Sequence, residues 1–245
     1  MISVCLATYN GEKYIFTQLK SILSQLSTDD EIIISDDGST DQTIGIIESF
    51  KDKRIKIYYH KKKAIYTNRL IRNMNYASKN FENALDYCSG EYIFLVDQDD
   101  IWLPQKAITV NEYLKKFDLV LHNYTEIDEN GNIIKNKHFH INPLKATIMG
   151  NYLKLPFTGC CMAFNRKILT KTTPFPSNII THDQWIGLKA ARIGKIYFIE
   201  EPLINRRIHL TNTSLYNGKV SILTRIKYNF FIYFSNLKAI TNSIL

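Results

Sequence analysis

The segment Glu91 to Val96 is short and nearly all apolar, and it runs straight into Asp97-Gln98-Asp99-Asp100. A run without polar alternation fits a strand buried on both faces, as in sheets covered by helices on each side. It is the last of a series. Ile2 to Ala7 predicts a strand, Glu12 to Gln25 a helix with Ile15, Leu19, Ile22 and Leu23 on one face, and Glu31 to Ser35 a second strand. Asp37-Gly38-Ser39 supplies a turn, Ser39 or Thr40 is placed to cap a helix over Thr43 to Phe50, and Arg54 to Tyr59 is a third strand. Asn73 to Ser89 predicts another helix, closed by Gly90. The order βαβαβαβ implies an α/β fold with a mostly parallel central sheet flanked by helices, and in such sheets ligands sit beyond the carboxyl ends of the strands.

Three of those strand ends carry polar chemistry: Thr8-Tyr9-Asn10, Asp36-Asp37-Gly38-Ser39 and Asp97-Gln98-Asp99-Asp100. Three acids within four residues at the end of a buried strand repel one another. A hard divalent cation shared with phosphate oxygens accounts for that cost better than an acidic turn does. No Gly-x-Gly-x-x-Gly or Walker-type loop follows the first strand, which argues against a dinucleotide dehydrogenase or a P-loop enzyme. Asp36 and Asp37 suit recognition of base and ribose hydroxyls, or else simply form the turn.

The 245 residues, 45% hydrophobic, suffice for one sizeable core. Cys5, Cys88, Cys160 and Cys161 show no metal-ligand spacing and read as reduced thiols. With no signal-peptide pattern and no run of ~18 to 20 apolar residues, the expected location is cytoplasmic. The net charge of +8, densest over Lys51 to Lys63, calls for phosphorylated ligands, anionic lipid or nucleic acid as partner.

At these motifs the chain resembles the inverting family 2 glycosyltransferases of the GT-A fold. Thr8-Tyr9-Asn10-Gly11 is similar to the family's opening strand end, Asp36-Asp37-Gly38-Ser39 to its nucleoside site, and Asp97-Gln98-Asp99-Asp100 to its metal motif. Thr158 to Arg166 is similar to the acceptor-side loop and strand, His182-Asp183-Gln184-Trp185 to the segment bearing the base, and Pro202-Leu203-Ile204 with Arg207 and His209 to the closing segment near the donor phosphates. The resemblance spans about residues 1 to 215 and implies a Rossmann-like nucleotide-binding half, 1–100, and an acceptor-binding half, 101–215. It implies that Thr8, Tyr9, Asn10, Asp36, Asp37, Ser39, Asp97 and Gln98 bind the nucleotide-sugar donor. Asp97, Asp99 and His209 would hold Mn2+ or Mg2+, with Asp183 as the base. Gly159, Cys160, His182 and Trp185 would line the acceptor pocket. Arg206 and Arg207 stand as phosphate partners or surface charges.

Asp-Gln-Asp-Asp-Ile-Trp-Leu-Pro together with His-Asp-Gln-Trp most resembles bacterial rhamnosyltransferases of surface-polysaccharide synthesis. The implied reaction moves L-rhamnose from dTDP-rhamnose to a lipid-linked glycan. UDP-glucose, UDP-galactose or UDP-N-acetylglucosamine is the alternative donor. A metal-dependent phosphodiesterase and a non-catalytic nucleotide-sugar-binding protein are readings from other classes, and nucleic acid is not an expected partner. Beyond residue 215, Val220, Leu223, Ile226, Phe230, Phe231, Phe234 and Leu237 keep near-helical spacing among basic residues. That pattern predicts an amphipathic tail over 216–245, docked on the core or lying on an anionic membrane face.

Overall fold

The fold is described from a computed structural model that covers residues 1–63, 65–136, 157–177, 179–209, 228–232 and 234–235. The first half alternates as expected: β1 (Ile2–Thr8), α1 (Ile15–Leu23), β2 (Glu31–Asp36), α2 (Thr43–Ser49), β3 (Ile55–Tyr59), α3 (Arg69–Leu85) and β4 (Tyr92–Asp97). Then come β5 (Ile101–Trp102), α4 (Lys106–Leu114), β6 (Leu119–Ile127), β7 (Ile133–Lys135), a 3-10 turn (Gly159–Cys161), β8 (Met162–Asn165), α5 (Arg166–Thr172), α6 (His182–Ile193) and β9 (Ile196–Arg207). All nine strands join one sheet in the order β3-β2-β1-β4-β8-β6-β9-β5, with β7 beside β6.

The expectation of a mostly parallel sheet holds for β3, β2, β1 and β4 and again between β6 and β9. Strand β8 runs antiparallel to both β4 and β6, and β5 runs antiparallel to β9, so the sheet is mixed. In the parallel part Thr8 pairs with Asp36 and Ala7 with Asp97, which brings three strand ends to one level. The core runs the length of the sheet; Val4, Leu6, Ile33, Phe94, Leu95 and Phe164 are fully buried.

Several element boundaries differ from the sequence reading for local reasons. Residues 12–14 form a turn in which Tyr14 and Ile15 donate to the Gly11 carbonyl, so α1 starts late. Neither Ser39 nor Thr40 caps α2: Asp41 accepts from Thr43 N at 3.0 Å, while Ser39 serves Asp36. Helix α3 begins earlier than expected because Asn68 caps it, accepting from Leu70 N and Ile71 N, and it has ended before Gly90. Gly90 is required for another reason, since a Cβ there would lie 2.7 Å from Ser3 N.

All four cysteines are free and buried. Among the described residues no helix is long and apolar enough to cross a membrane. Of the predicted tail only residues 228–232 and 234–235 are described; they are helical, and Val220, Leu223, Ile226 and Leu237 lie outside the described residues. Ile232 is buried with Ile71, Met74 and Ile180, and Asn68 donates to the Tyr228 hydroxyl at 3.2 Å. Phe230, Phe231 and Phe234 point away from that contact and are about half exposed.

Candidate functional site

The ends of β1 and β2 build a ledge. Asp36 is buried, and its carboxylate accepts from Thr8 Oγ1 at 2.8 Å, Gly38 N at 2.9 Å, Ser39 N at 2.7 Å and Ser39 Oγ at 2.6 Å. Asn10 has φ 48°, a left-handed conformation that Asn tolerates better than most residues, and it donates from its N to Ser39 Oγ at 2.9 Å. Gln98 clamps Tyr9 at two points, accepting from its N at 2.9 Å and donating to its carbonyl at 3.1 Å. Gly11 is needed beside that clamp because a Cβ would collide with the Gln98 amide. Thr8, Tyr9, Asn10, Asp36, Ser39 and Gln98 are therefore brought together as expected, with Asp36 as organiser of the loop. Asp37 takes a different partner, His60 Nδ1 at 2.5 Å. The basic run reaches the same ledge: Lys62 Nζ stands 3.0 Å over the exposed Tyr9 ring and 3.8 Å from Asp37.

Beyond β4 the acids take different partners. Asp97 is raised to about 7, first by burial and then by Asp99, with Asp183 adding to the shift while Arg206 and the Cys160 thiol oppose it. Asp100 is buried and pushed well up for the same first reason; its Oδ1 accepts from Arg207 N at 3.0 Å and its Oδ2 is buried without a partner among the described residues. Ligand atoms of Asp97, Asp100 and Cys160 all lie within 4.8 Å of one another. Asp99 is mostly buried as well, and its Oδ2 is 2.7 Å from His209 Nε2. The expected trio of Asp97, Asp99 and His209 is therefore not one cluster among the described residues: Asp97 groups with Asp100 and Cys160, and Asp99 pairs with His209. The orphaned Asp100 oxygen and the carboxylates of Asp97 and Asp99 fit a hard divalent cation, since such ions prefer oxygen ligands.

The residues expected on the acceptor side lie on the Gly159–Cys161 turn and the start of α6. Asp183 is the second residue of α6, behind the N-cap Thr181, so it does not cap the helix itself. Burial raises its carboxyl to about 6 against N–H donation from Gln184 and Gly159. His182 stacks on Phe81 with ring centroids 4.0 Å apart. Ser78 Oγ donates to the Ile180 carbonyl at 2.9 Å and therefore accepts from His182 Nδ1 at 3.3 Å. This fixes the Nδ1–H tautomer, and burial depresses the ring's pKa to about 3, so the imidazole is neutral. Its Nε2 faces Gly159, where a Cβ would lie 3.0 Å away.

Trp185 departs from the expected role. It is 2% exposed, and its indole Nε1 donates to the Thr172 carbonyl at 2.9 Å, so its ring belongs to the core rather than to a sugar pocket. Arg207 is likewise internal: it donates to the carbonyls of Asp99, Asp128 and Glu129 and holds the closing segment. Arg206 lies 5.4 Å over the Tyr124 ring, and its charge acts on Asp97 and Asp100.

Two contributors escaped the sequence reading. Gln18 is buried in α1 and donates to the Asp97 carbonyl at 2.8 Å, pinning the end of β4. Lys106 is buried in α4 and donates to the Cys160 carbonyl at 3.0 Å. The only hint of Lys106 was its place on the apolar stripe with Val110 and Leu114, at helical spacing.

Comparison with known proteins agrees with this geometry. In overall shape the chain is similar to Staphylococcus aureus TarS 1-349 in complex with UDP-GlcNAc, with a TM-score of 0.66 at 20% identity over 90% of this chain and 61% of that one. It is also similar to a Pyrobaculum calidifontis mannosyltransferase in complex with GDP-Man and Mn2+, with a TM-score of 0.58 at 16% identity over 99% of this chain and 74% of that one. At this identity the likeness speaks for the GT-A fold. In sequence it is 28% identical to an uncharacterised glycosyltransferase of Rickettsia typhi, over 88% of this chain and 67% of the relative. It is 26% identical to an Escherichia coli UDP-Glc:alpha-D-GlcNAc-diphosphoundecaprenol beta-1,3-glucosyltransferase, over 92% of this chain and 83% of the relative. It is 28% identical to Escherichia coli chondroitin synthase, of which it spans only 30%. The profile of "Glycosyl transferase family 2" matches residues 3–173, well over half of the chain, and the protein is a glycosyltransferase belonging to that family.

Proposed function

We propose that this protein transfers a hexosyl group from a UDP-sugar to a hydroxyl of a lipid-linked glycan, with inversion at the anomeric carbon, in assembly of an O-antigen or capsule type of polysaccharide. The observation that carries the reading is Asp183. Its carboxyl is partly buried at about 6, beside an acid cluster at the strand ends, and its charge is felt by Asp97. A carboxylate in that range accepts a proton near neutral pH, as a base facing a sugar hydroxyl must.

On this reading Thr8, Tyr9, Asn10, Asp36, Asp37, Ser39 and Gln98 hold the nucleoside. Gly159, Cys160 and the neutral His182 border the acceptor, and Asp183 takes its proton. Asp99, His209 and Asp97, with Asp100 behind them, would hold a divalent cation, which when bound supplies Lewis-acid stabilisation of the leaving diphosphate. One carboxylate remains for the sugar, which favours direct displacement over a double displacement through a glycosyl-enzyme.

The UDP-hexose donor is preferred over dTDP-rhamnose because a relative spanning most of this chain is named as a UDP-Glc-dependent glucosyltransferase acting on a diphosphoundecaprenol-linked sugar, and none of the relatives described above is named for rhamnose. A lipid-linked acceptor also suits the exposed Phe230, Phe231 and Phe234 and the +8 charge, which favour peripheral contact with an anionic membrane.

The test is nucleoside diphosphate release from UDP-glucose, UDP-galactose, UDP-N-acetylglucosamine and dTDP-rhamnose, with and without Mn2+ or Mg2+. Metal-dependent release from a UDP-hexose is expected. Release from dTDP-rhamnose alone would restore the rhamnosyl reading. Binding without turnover of any donor would indicate a non-catalytic sugar-nucleotide binder, and cleavage of a simple phosphodiester would indicate a phosphodiesterase.

A further inference from the structure

Lys106 opens α4 directly after Gln105, whose φ of 68° is a left-handed conformation that costs a residue with a side chain. The lysine is 1% exposed, and its Nζ lies 4.6 Å from the Trp102 ring centroid. Burial lowers its pKa to about 8, and the Cys161, Cys160, Asp100 and Asp97 charges oppose that shift. Its hydrogen bond goes to a main-chain carbonyl, that of Cys160, at 3.0 Å. A methionine would fill the same space without desolvating an ammonium group, so packing alone does not explain a lysine here.

What Lys106 holds is the Gly159–Cys161 turn, and that turn touches both ends of the proposed chemistry. Gly159 N–H donates to Asp183, and the Cys160 thiol donates to Asp97. The other face of Gly159 is against the His182 ring, so the turn has little room to shift without moving the start of α6.

We propose that Lys106 is a positioning residue for sugar transfer, acting through the Gly159–Cys161 turn to hold the carboxyls of Asp183 and Asp97 in register. This inference rests on Asp183 being the base. The charged donor fixes the Cys160 carbonyl, the carbonyl fixes the turn, and the turn fixes the two acids. The ledge bonds among Thr8, Asp36, Ser39 and Asn10 do not involve the turn, so binding of the nucleoside is expected to be spared.

The experiment is Lys106→Met in the full chain, with steady-state transfer from the UDP-sugar that the wild type uses, and the same substitution in an Asp183→Asn background. Misplacement of a reacting group by a fraction of an ångström lowers kcat about tenfold to hundredfold while donor KM stays within about threefold. In the Asp183→Asn background Lys106→Met should lower the residual turnover by clearly less than it does in the wild type, because the part of the loss that acts through the base is gone. A kcat within about twofold of wild type, a loss that repeats in full on top of Asp183→Asn, or a protein that no longer melts cooperatively would each overturn the inference alone. Near-normal turnover in Asp183→Asn by itself would overturn the base assignment, and this inference with it.

Discussion

Replacing Asp183 by Asn should make the protein more stable at neutral pH while removing most of its turnover. The carboxyl stands at about 6 against an ordinary 3.8, chiefly because burial disfavours its charge. A folded-state pKa above the unfolded value means that folding is favoured by the protonated form, and that contribution is lost as pH rises from about 4 through about 6. Carrying the ionised form at pH 7.5 therefore costs the native state up to about 3 kcal/mol, at about 1.4 kcal/mol per decade. The amide avoids that cost, but it can accept from only one of the two N–H groups that Asp183 now serves, which returns about 1 kcal/mol. A net gain of about 1 to 2 kcal/mol is expected at pH 7.5, vanishing near pH 4. Urea unfolding of both proteins at pH 4, 5, 6 and 7.5 reads this directly. The kinetic half of the prediction has the opposite sign. Only about 9% of the base is ionised at pH 5 and about 91% at pH 7, so wild-type kcat/KM should rise about tenfold between them. Asp183→Asn should lose about 10²-fold or more and show no such rise. A variant destabilised equally at every pH, or one that keeps normal turnover, would refute the reasoning.

Asp99→Ala, which removes the acid 2.7 Å from His209, should abolish metal-dependent transfer while leaving the circular dichroism spectrum and melting unchanged; full activity would remove the metal assignment. Gly187→Ala places a methyl group inside the Phe157 ring and should destabilise the fold by about 1 to 3 kcal/mol in thermal unfolding, with an unchanged melting temperature counting against this packing. Changing Phe230, Phe231 and Phe234 together to Ser, with Ile232 kept in its contact with Ile71 and Met74, should weaken co-sedimentation with anionic liposomes and leave melting unaffected. Undiminished binding would rule out the aromatic face as the membrane contact.

Much of the first half was legible because burial dictates composition there. Strand β4 is covered on both faces, so it reads as a nearly unbroken apolar run, and the acids that follow stand out against it. The hand of β8 was not legible, because nothing in Met162–Asn165 distinguishes a strand added parallel to β4 from one added antiparallel. Helix α3 was placed late because Asn68 went unrecognised as its cap, and its buried polar residues Asn75, Ser78 and Asn80, which bond to the carbonyls of Ile179, Ile180 and Thr8, look exposed by type.

At the site, residue types that announce chemistry at strand ends were found where expected. Trp185 was misread because a resemblance places a residue in a segment but does not tell which way its ring faces. Lys106 and Gln18 were missed since a polar residue on an apolar stripe gains meaning only once its partner, the Cys160 or Asp97 carbonyl, is known. Asp100 was grouped with its neighbours, although its buried oxygen and its bond from Arg207 N give it an environment unlike that of Asp99.

The central claim is a single displacement at the anomeric carbon by an acceptor hydroxyl that Asp183 deprotonates. The most direct measurement is the anomeric proton coupling in the nuclear magnetic resonance spectrum of the transfer product made from an α-linked UDP-hexose. A β-glycoside is the predicted product, and an α-glycoside, with configuration retained, would contradict the account.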